Sequence, residues 1–165
     1  MEKPSKNCWK NFYKIGGVAA LLGVLVGFIE SSITFLPGGT AETVTVVDWF
    51  TFFQQQPFMG LRNIGLLNMG FNALAIPVYL ALYVAHRKAH RAYAALAMIM
   101  AFMGVAVFSA TNRAFPMLAL SRRYAIASDD AQSAALVAAG QAMLAVGASH
   151  TPGTFIAFFF SDVAG

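Results

Sequence analysis

The sequence predicts an all-α fold: a polytopic transmembrane helical bundle with three full spans plus the start of a fourth, and interfacial amphipathic helices on the outer face. Three observations carry that prediction. Of 165 residues, 58% are hydrophobic and only 11% charged, where roughly a quarter of an ordinary soluble domain is charged. Apolar runs at about 15–35, 64–85 and 92–113 match the roughly twenty residues that cross a ~30 Å hydrocarbon core, and a further run opens at about 151. Seven of the eleven lysines and arginines lie in two places: Lys3, Lys6, Lys10 and Lys14 before the first run, and Arg87, Lys88 and Arg91 between the second and third.

Two crossings separate those clusters, so both fall on one side of the membrane, and the positive-inside rule makes that side the cytoplasm. The net charge of +4 is therefore read as a topology signal, and nucleic acid is not an expected partner. The lysine-rich start imitates a secretory signal. Its apolar run exceeds the ~7–15 residues of a signal core and no clean cleavage site closes it, so it reads as a retained first helix. Cys8 is the sole cysteine, which rules out an intrachain disulfide and leaves an incidental thiol or a palmitoylation site near the membrane face.

Along the first run Ala19, Gly23 and Gly27 recur every four residues, a small-residue stripe that lets another helix approach closely; Glu30 and Ser31 extend it before "LPGG" (36–39) breaks the helix. The next stretch, an external helix at about 48–57, has Asp48 as its expected N-cap and four aromatic residues, Trp49, Phe50, Phe52 and Phe53. Too short to cross, it is expected to lie in the interface with its rings at headgroup depth as an anchor, or to offer a ligand platform.

In the second run Gly65, Asn68, Asn72, Ile76, Tyr79 and Tyr83 share a narrow arc at 100° per residue, the expected protein-facing side, and Pro77 should bend the helix. The third is expected to end near Asn112 and Arg113, because Pro116 disfavours helical geometry at Phe115. A second external helix, at about 129–146, starts with the capping-box pair Asp129 and Gln132 and stops at Gly147. Its alanines, with Gln132, Ser133 and Gln141, keep it out of the membrane and against the bundle. The last segment accepts Pro152 in its first turn, and too few residues follow to complete a crossing, so the chain is expected to be incomplete at its C-terminus.

At ~1.5 Å per helical residue, Arg62 and Arg113 lie near the outer boundary, Glu30 about a turn deeper and Asp162 near mid-membrane, with Asn68 and Asn72 at similar depth. This is the candidate polar cluster. Arg113 is expected to meet Glu30, with Arg62 competing for the same carboxylate. An unpaired charge at mid-span costs roughly 2.5–3.5 kcal/mol, so the cluster either locks the helices together or binds a ligand or ion. His86 and His90 are four apart and could share a helical face, but no carboxylate accompanies them and the surrounding arginines repel a cation, so no metal site is expected. No nucleophile motif, phosphate loop, CxxC pair or in-span lysine is present. No catalytic residue and no cofactor are expected.

Four stretches, "DWFTFFQQQPFMGLRNIGLLNMG", "IPVYLALYVAHRKAHRAYAALA", "ATNRAFPMLALSRRYAIASDDAQSAALVAAGQAMLA" and "GTFIAFFFSDVAG", together resemble bacterial integral membrane proteins of domain-of-unknown-function family 4386. The resemblance implies about six spans, of which this chain would carry the first four, truncated, and a bacterial cytoplasmic (inner) membrane as location. It implies no activity and no site residue. The expected function is non-enzymatic, a structural or accessory component packing against other membrane helices, whether a membrane protein partner or further copies of itself. The alternatives are a binder or transporter of a small molecule, lipid or ion using the outer polar cluster, and then a membrane enzyme.

Overall fold

Helices make up all the regular structure described in the computed structural model, which covers residues 6–36 and 45–146 together with positions 151, 153, 155–157, 159 and 160. Among the described residues seven helices have defined bounds: α1 (Lys6–Thr34), α2 (Val46–Gln55), α3 (Pro57–Asn63), α4 (Leu66–His86), α5 (Arg91–Thr111), α6 (Ala114–Ala125) and α7 (Asp130–Val146). Helical geometry also holds at Gly153, at 155–157 and at 159–160. Three helical stretches are long and apolar enough to cross a membrane: Trp9–Thr34 in α1, Leu66–His86 which is α4, and Arg91–Ala125 which begins with α5 and runs on through α6. The 21 residues of α4 and of α5 each give about 31 Å of helix, close to the hydrocarbon thickness.

α1, α4 and α5 form a row. α4 packs against α1 on one side and α5 on the other, and α1 and α5 share no substantial contact. The α1 face turned to α4 is small: Gly16, Ala19 and Gly23 are all buried there. A Cβ on Gly16 would sit 2.4 Å from the Ala81 Cβ and 3.1 Å from the Pro77 carbonyl oxygen, so the two backbones meet where α4 carries its internal proline. Gly27, the third member of the expected stripe, has nothing within 4 Å of its Cβ position. Gly16 takes the role expected of it, at a spacing of seven to Gly23 and seven again to Glu30. That spacing keeps all three on one face of a helix.

The remaining helices, α2, α3, α6 and α7, gather as a cap at the end where α1 finishes and α4 begins. The apolar core lies in this cap. Val46, Phe50, Phe53, Ile64, Ala114 and Met117 are buried together, with Trp49, Tyr124, Val137 and Leu144 packed around them. Large apolar side chains of the spans are exposed instead, Leu21 and Val24 at 72% and Phe28 at 70%. In lipid such exposure carries no hydrophobic penalty, because acyl chains are as apolar as leucine.

The cap corrects several expectations. The aromatic helix is not a free interfacial anchor: Val46, Phe50 and Phe53 lie at i, i+4 and i+7 and point into protein, mainly against α6, and the buried Ser121 hydroxyl donates to the Phe50 carbonyl at 2.8 Å. Its N-cap is Thr45, not Asp48; Asp48 occupies the third helical position and closes a capping box, accepting from the Thr45 amide at 2.8 Å while Thr45 Oγ1 accepts from the Asp48 amide at 3.1 Å. α5 ends at Thr111, close to the expected stop, but Phe115 is helical: Pro116 is the third residue of α6, where the missing N–H would have had no helical partner. Asp129 does cap α7, accepting from the Gln132 amide at 2.6 Å, but the Gln132 side chain returns to the Ser128 amide, one residue earlier than a standard box. Most of "LPGG", Gly147, Pro152 and Asp162 lie outside the described residues.

The close approach of α1 to α4 gives a direct test. Gly16→Leu should lower unfolding stability in mixed micelles by about 1–3 kcal/mol, the usual cost of overpacking. Gly17→Leu, on the open side of α1 with nothing within 4 Å, should change it by less than about 0.5 kcal/mol.

Candidate functional site

Glu30 stands on the buried stripe of α1, one turn before the helix ends, and Arg62 reaches it from α3. That reach depends on two glycines. A Cβ at Gly60 would lie 2.6 Å from Phe53 Cδ1, so glycine lets the seven-residue α3 press against α2. Gly65 has φ +101°, a left-handed conformation natural to glycine, and it turns the chain from α3 into α4. Arg62 is thereby held in the last turn of α3, facing α1.

Burial of Arg62 is nearly total, with 2% exposed, and its donors are met. Nε donates to Glu30 Oε2 at 3.0 Å; one terminal nitrogen donates to the Glu30 carbonyl at 3.1 Å and to Thr34 Oγ1 at 2.6 Å; the other donates to Asn63 Oδ1 at 3.1 Å. Thr34 Oγ1 in turn donates to the Glu30 carbonyl at 2.8 Å. A guanidinium offers five N–H donors in a fixed fork, and this geometry uses it to bind a carboxylate and the carbonyl of the same residue at a fraying helix end. Charge burial on this scale is tolerable only when the ion is paired and hydrogen-bonded.

Arg113 does not meet Glu30. It precedes α6, and its Nη1 donates to the Leu144 carbonyl in the last turn of α7. Carbonyls there have no helical partner, so Arg113 caps α7, and Thr151 Oγ1 covers the Val146 carbonyl nearby at 2.9 Å. The reason is positional: Arg62 reaches α1 through α3, whereas the α5–α6 break aims Arg113 at α7. Asn112 fixes that break. Its Nδ2 donates to the Gly65 carbonyl at 3.3 Å and its Oδ1 accepts from the Ala114 amide at 3.0 Å, tying the α3–α4 turn to the start of α6.

Of the expected cluster, then, Glu30 and Arg62 come together and Arg113 goes elsewhere. Asn68 and Asn72 stay on α4, where Asn72 Nδ2 donates to the Asn68 carbonyl at 2.9 Å, and neither joins the ion pair. Asp162 lies outside the described residues. Thr34, Asn63 and Asn112 were not anticipated, although Thr34 falls four residues after Glu30 on one face, which is a legible signal. His86 and His90 do not share a helical face: α4 ends at His86, α5 starts after His90, and His86 Nδ1 engages the Leu82 carbonyl at 2.9 Å. No group of three potential metal ligands occurs among the described residues.

At the opposite end of α1, the Arg87 guanidinium carbon lies 3.8 Å from the centre of the Trp9 ring. This cation–π contact fastens the start of α1 to the α4–α5 turn.

Comparison of the chain with family models, with curated proteins and with solved structures finds no match in any of the three. The resemblance to family 4386 thus rests on its four quoted stretches alone. What the polar cluster can do is read from its chemistry: among the described residues, the Arg62 guanidinium donates to Glu30 and Thr34 of α1 and to Asn63 of its own helix, an arrangement that joins elements.

A double-mutant cycle separates the two arginines. Arg62→Met should cost roughly 3 kcal/mol, the lower end for breaking a buried pair, and should couple to Glu30→Leu by more than about 1 kcal/mol; Arg113→Met and Glu30→Leu should add to within about 0.5 kcal/mol. Reversible unfolding of the four variants in mixed micelles measures both terms.

Proposed function

We propose that the protein is a non-enzymatic integral membrane protein, a structural or accessory component whose spans pack against other membrane helices, set in a bacterial cytoplasmic membrane with its N-terminus inside. The observation that carries this reading is the row of α1, α4 and α5. A row, unlike a closed bundle, leaves both broad faces of its central helix open among the described residues. On α4 the open surface includes Ile76, 38% exposed, and Asn68, whose side chain has no hydrogen bond among the described residues. Amide side chains at membrane depth are used to hydrogen-bond across helices. The orientation rests on the basic residues at the Trp9 end of the row, following the positive-inside rule.

The alternative, a small-molecule, lipid or ion site in the outer half, draws on one atom. Asn63 Nδ2, beside Arg62, is buried without a hydrogen-bond partner among the described residues. Against it, Arg62 beside that atom already donates to Glu30, Thr34 and Asn63, so the docking reading is favoured.

Cross-linking in native membranes tests it. In a Cys8→Ser background, Ile76→Cys should give a covalent product heavier than the 17.7 kDa chain, and Ala101→Cys, fully buried between helices, should not. No product from either position, with a purified particle of monomer mass, would contradict the proposal.

A further inference from the structure

The end of the row opposite the cap has its own electrostatic character. Among the described residues every carboxylate, Glu30, Asp48, Asp129 and Asp130, belongs to the cap or to the end of α1 that meets it. Lys10, Lys14, Arg87, Lys88 and Arg91 gather at the other end, with His86 and His90. Between α4 and α5 at this basic end runs an open groove of about 330 Å³. Leu82, Ala97 and Met98 line its inner part, and Tyr83, His86 and His90 stand at its mouth. From His90 to Met98 it extends roughly 12 Å along α5.

The mouth is built to receive an anion. His90 is the N-cap of α5 and makes no side-chain capping bond, and the first helical amide to find an acceptor is that of Ala94, 3.0 Å from the His90 carbonyl. The amides of Arg91, Ala92 and Tyr93 therefore have no helical partner and sit at the positive end of a 21-residue helix. His86 spends its Nδ1 on the Leu82 carbonyl, leaving Nε2 as its remaining polar ring atom.

We propose that this groove binds one anionic phospholipid, its phosphate at the start of α5 beside His90 and Arg91, and the first carbons of one acyl chain along Leu82, Ala97 and Met98. A phosphate suits the unpartnered first amides of α5 with the lysines and arginines around that end of the row, and the apolar inner wall has no use for a free anion. Placement at the end of spans about 31 Å long puts the mouth at headgroup level. Basic pockets between helices at a membrane face are suited to such headgroups. The site is separate from the Glu30–Arg62 cluster and does not depend on the docking function proposed above.

The test is native mass spectrometry of the full chain in mild detergent with equal amounts of phosphatidylglycerol and phosphatidylcholine bearing the same acyl chains. The wild-type protein should retain one phosphatidylglycerol in preference to phosphatidylcholine by about five-fold or more. Ala97→Phe, which fills the groove and leaves every charge in place, should abolish the preference; Arg122→Ala with Arg123→Ala in the cap should leave it intact. Should Ala97→Phe lose its helical circular dichroism, Ala94→Leu narrows the same wall and carries the same expectation. Equal retention of the two lipids, a preference that survives filling of the groove, or displacement by excess inorganic phosphate would each overturn the proposal.

Discussion

The pairing of Arg62 with Glu30 is the constraint on which the rest of the arrangement depends. α1 is the first of the described helices, and among the described residues its position is set by what it touches. Arg62 holds it by the carboxylate and the carbonyl of one residue and by the hydroxyl of Thr34. Because Arg62 is 2% exposed, loss of Glu30 would strand a charge without solvent, and the cost of that error disfavours other placements of α1. The pair works as a specificity device: it fixes which helix lies beside α4, and at what height.

Height is fixed twice. Trp9 and Glu30 are 21 residues apart, about 31 Å along a helix, and each is fastened to a residue just outside α4, Arg87 beyond its end and Arg62 before its start. Both contacts therefore fall near the boundaries of a ~30 Å hydrocarbon layer, where polar groups are affordable, while Gly16, Ala19 and Gly23 handle the interior by close packing alone. Residue chemistry is thus sorted by depth. The cap follows different physics, with a desolvated core around Phe50, Phe53 and Met117 like that of a water-soluble domain, and its helix ends are closed by Asp48, Asp129 and Arg113.

The spans were legible in the sequence because length and apolarity are local properties: 64–85 and 92–113 were expected where α4 (Leu66–His86) and α5 (Arg91–Thr111) lie. Partners were not legible. Arg62 and Arg113 sit at similar expected depths, and the choice between them is made by α3, a seven-residue helix that depends on Gly60 fitting against Phe53 and on Gly65 turning left-handed. The aromatic stretch was read as an anchor because its cover, α6, was not recognised. The expected stop near Asn112 lies close to the end of α5 at Thr111; what the sequence did not show is that a new helix starts at once at Ala114, so that Pro116 falls in a first turn. The polar arc on α4 was read as protein-facing from periodicity, yet periodicity cannot say which of two neighbours a face meets, and Asn68 remains exposed.

The measurement that bears most directly on this account is the distance between spin labels on α1 and α4, at Leu25→Cys and Ala73→Cys in a Cys8→Ser background, by pulsed electron resonance in lipid nanodiscs. A narrow distribution in the parent should broaden strongly on Arg62→Met and stay narrow on Arg113→Met. An unchanged distribution with Arg62→Met would mean that small-residue packing alone places α1, and would contradict the claim that the Arg62–Glu30 pair sets the arrangement.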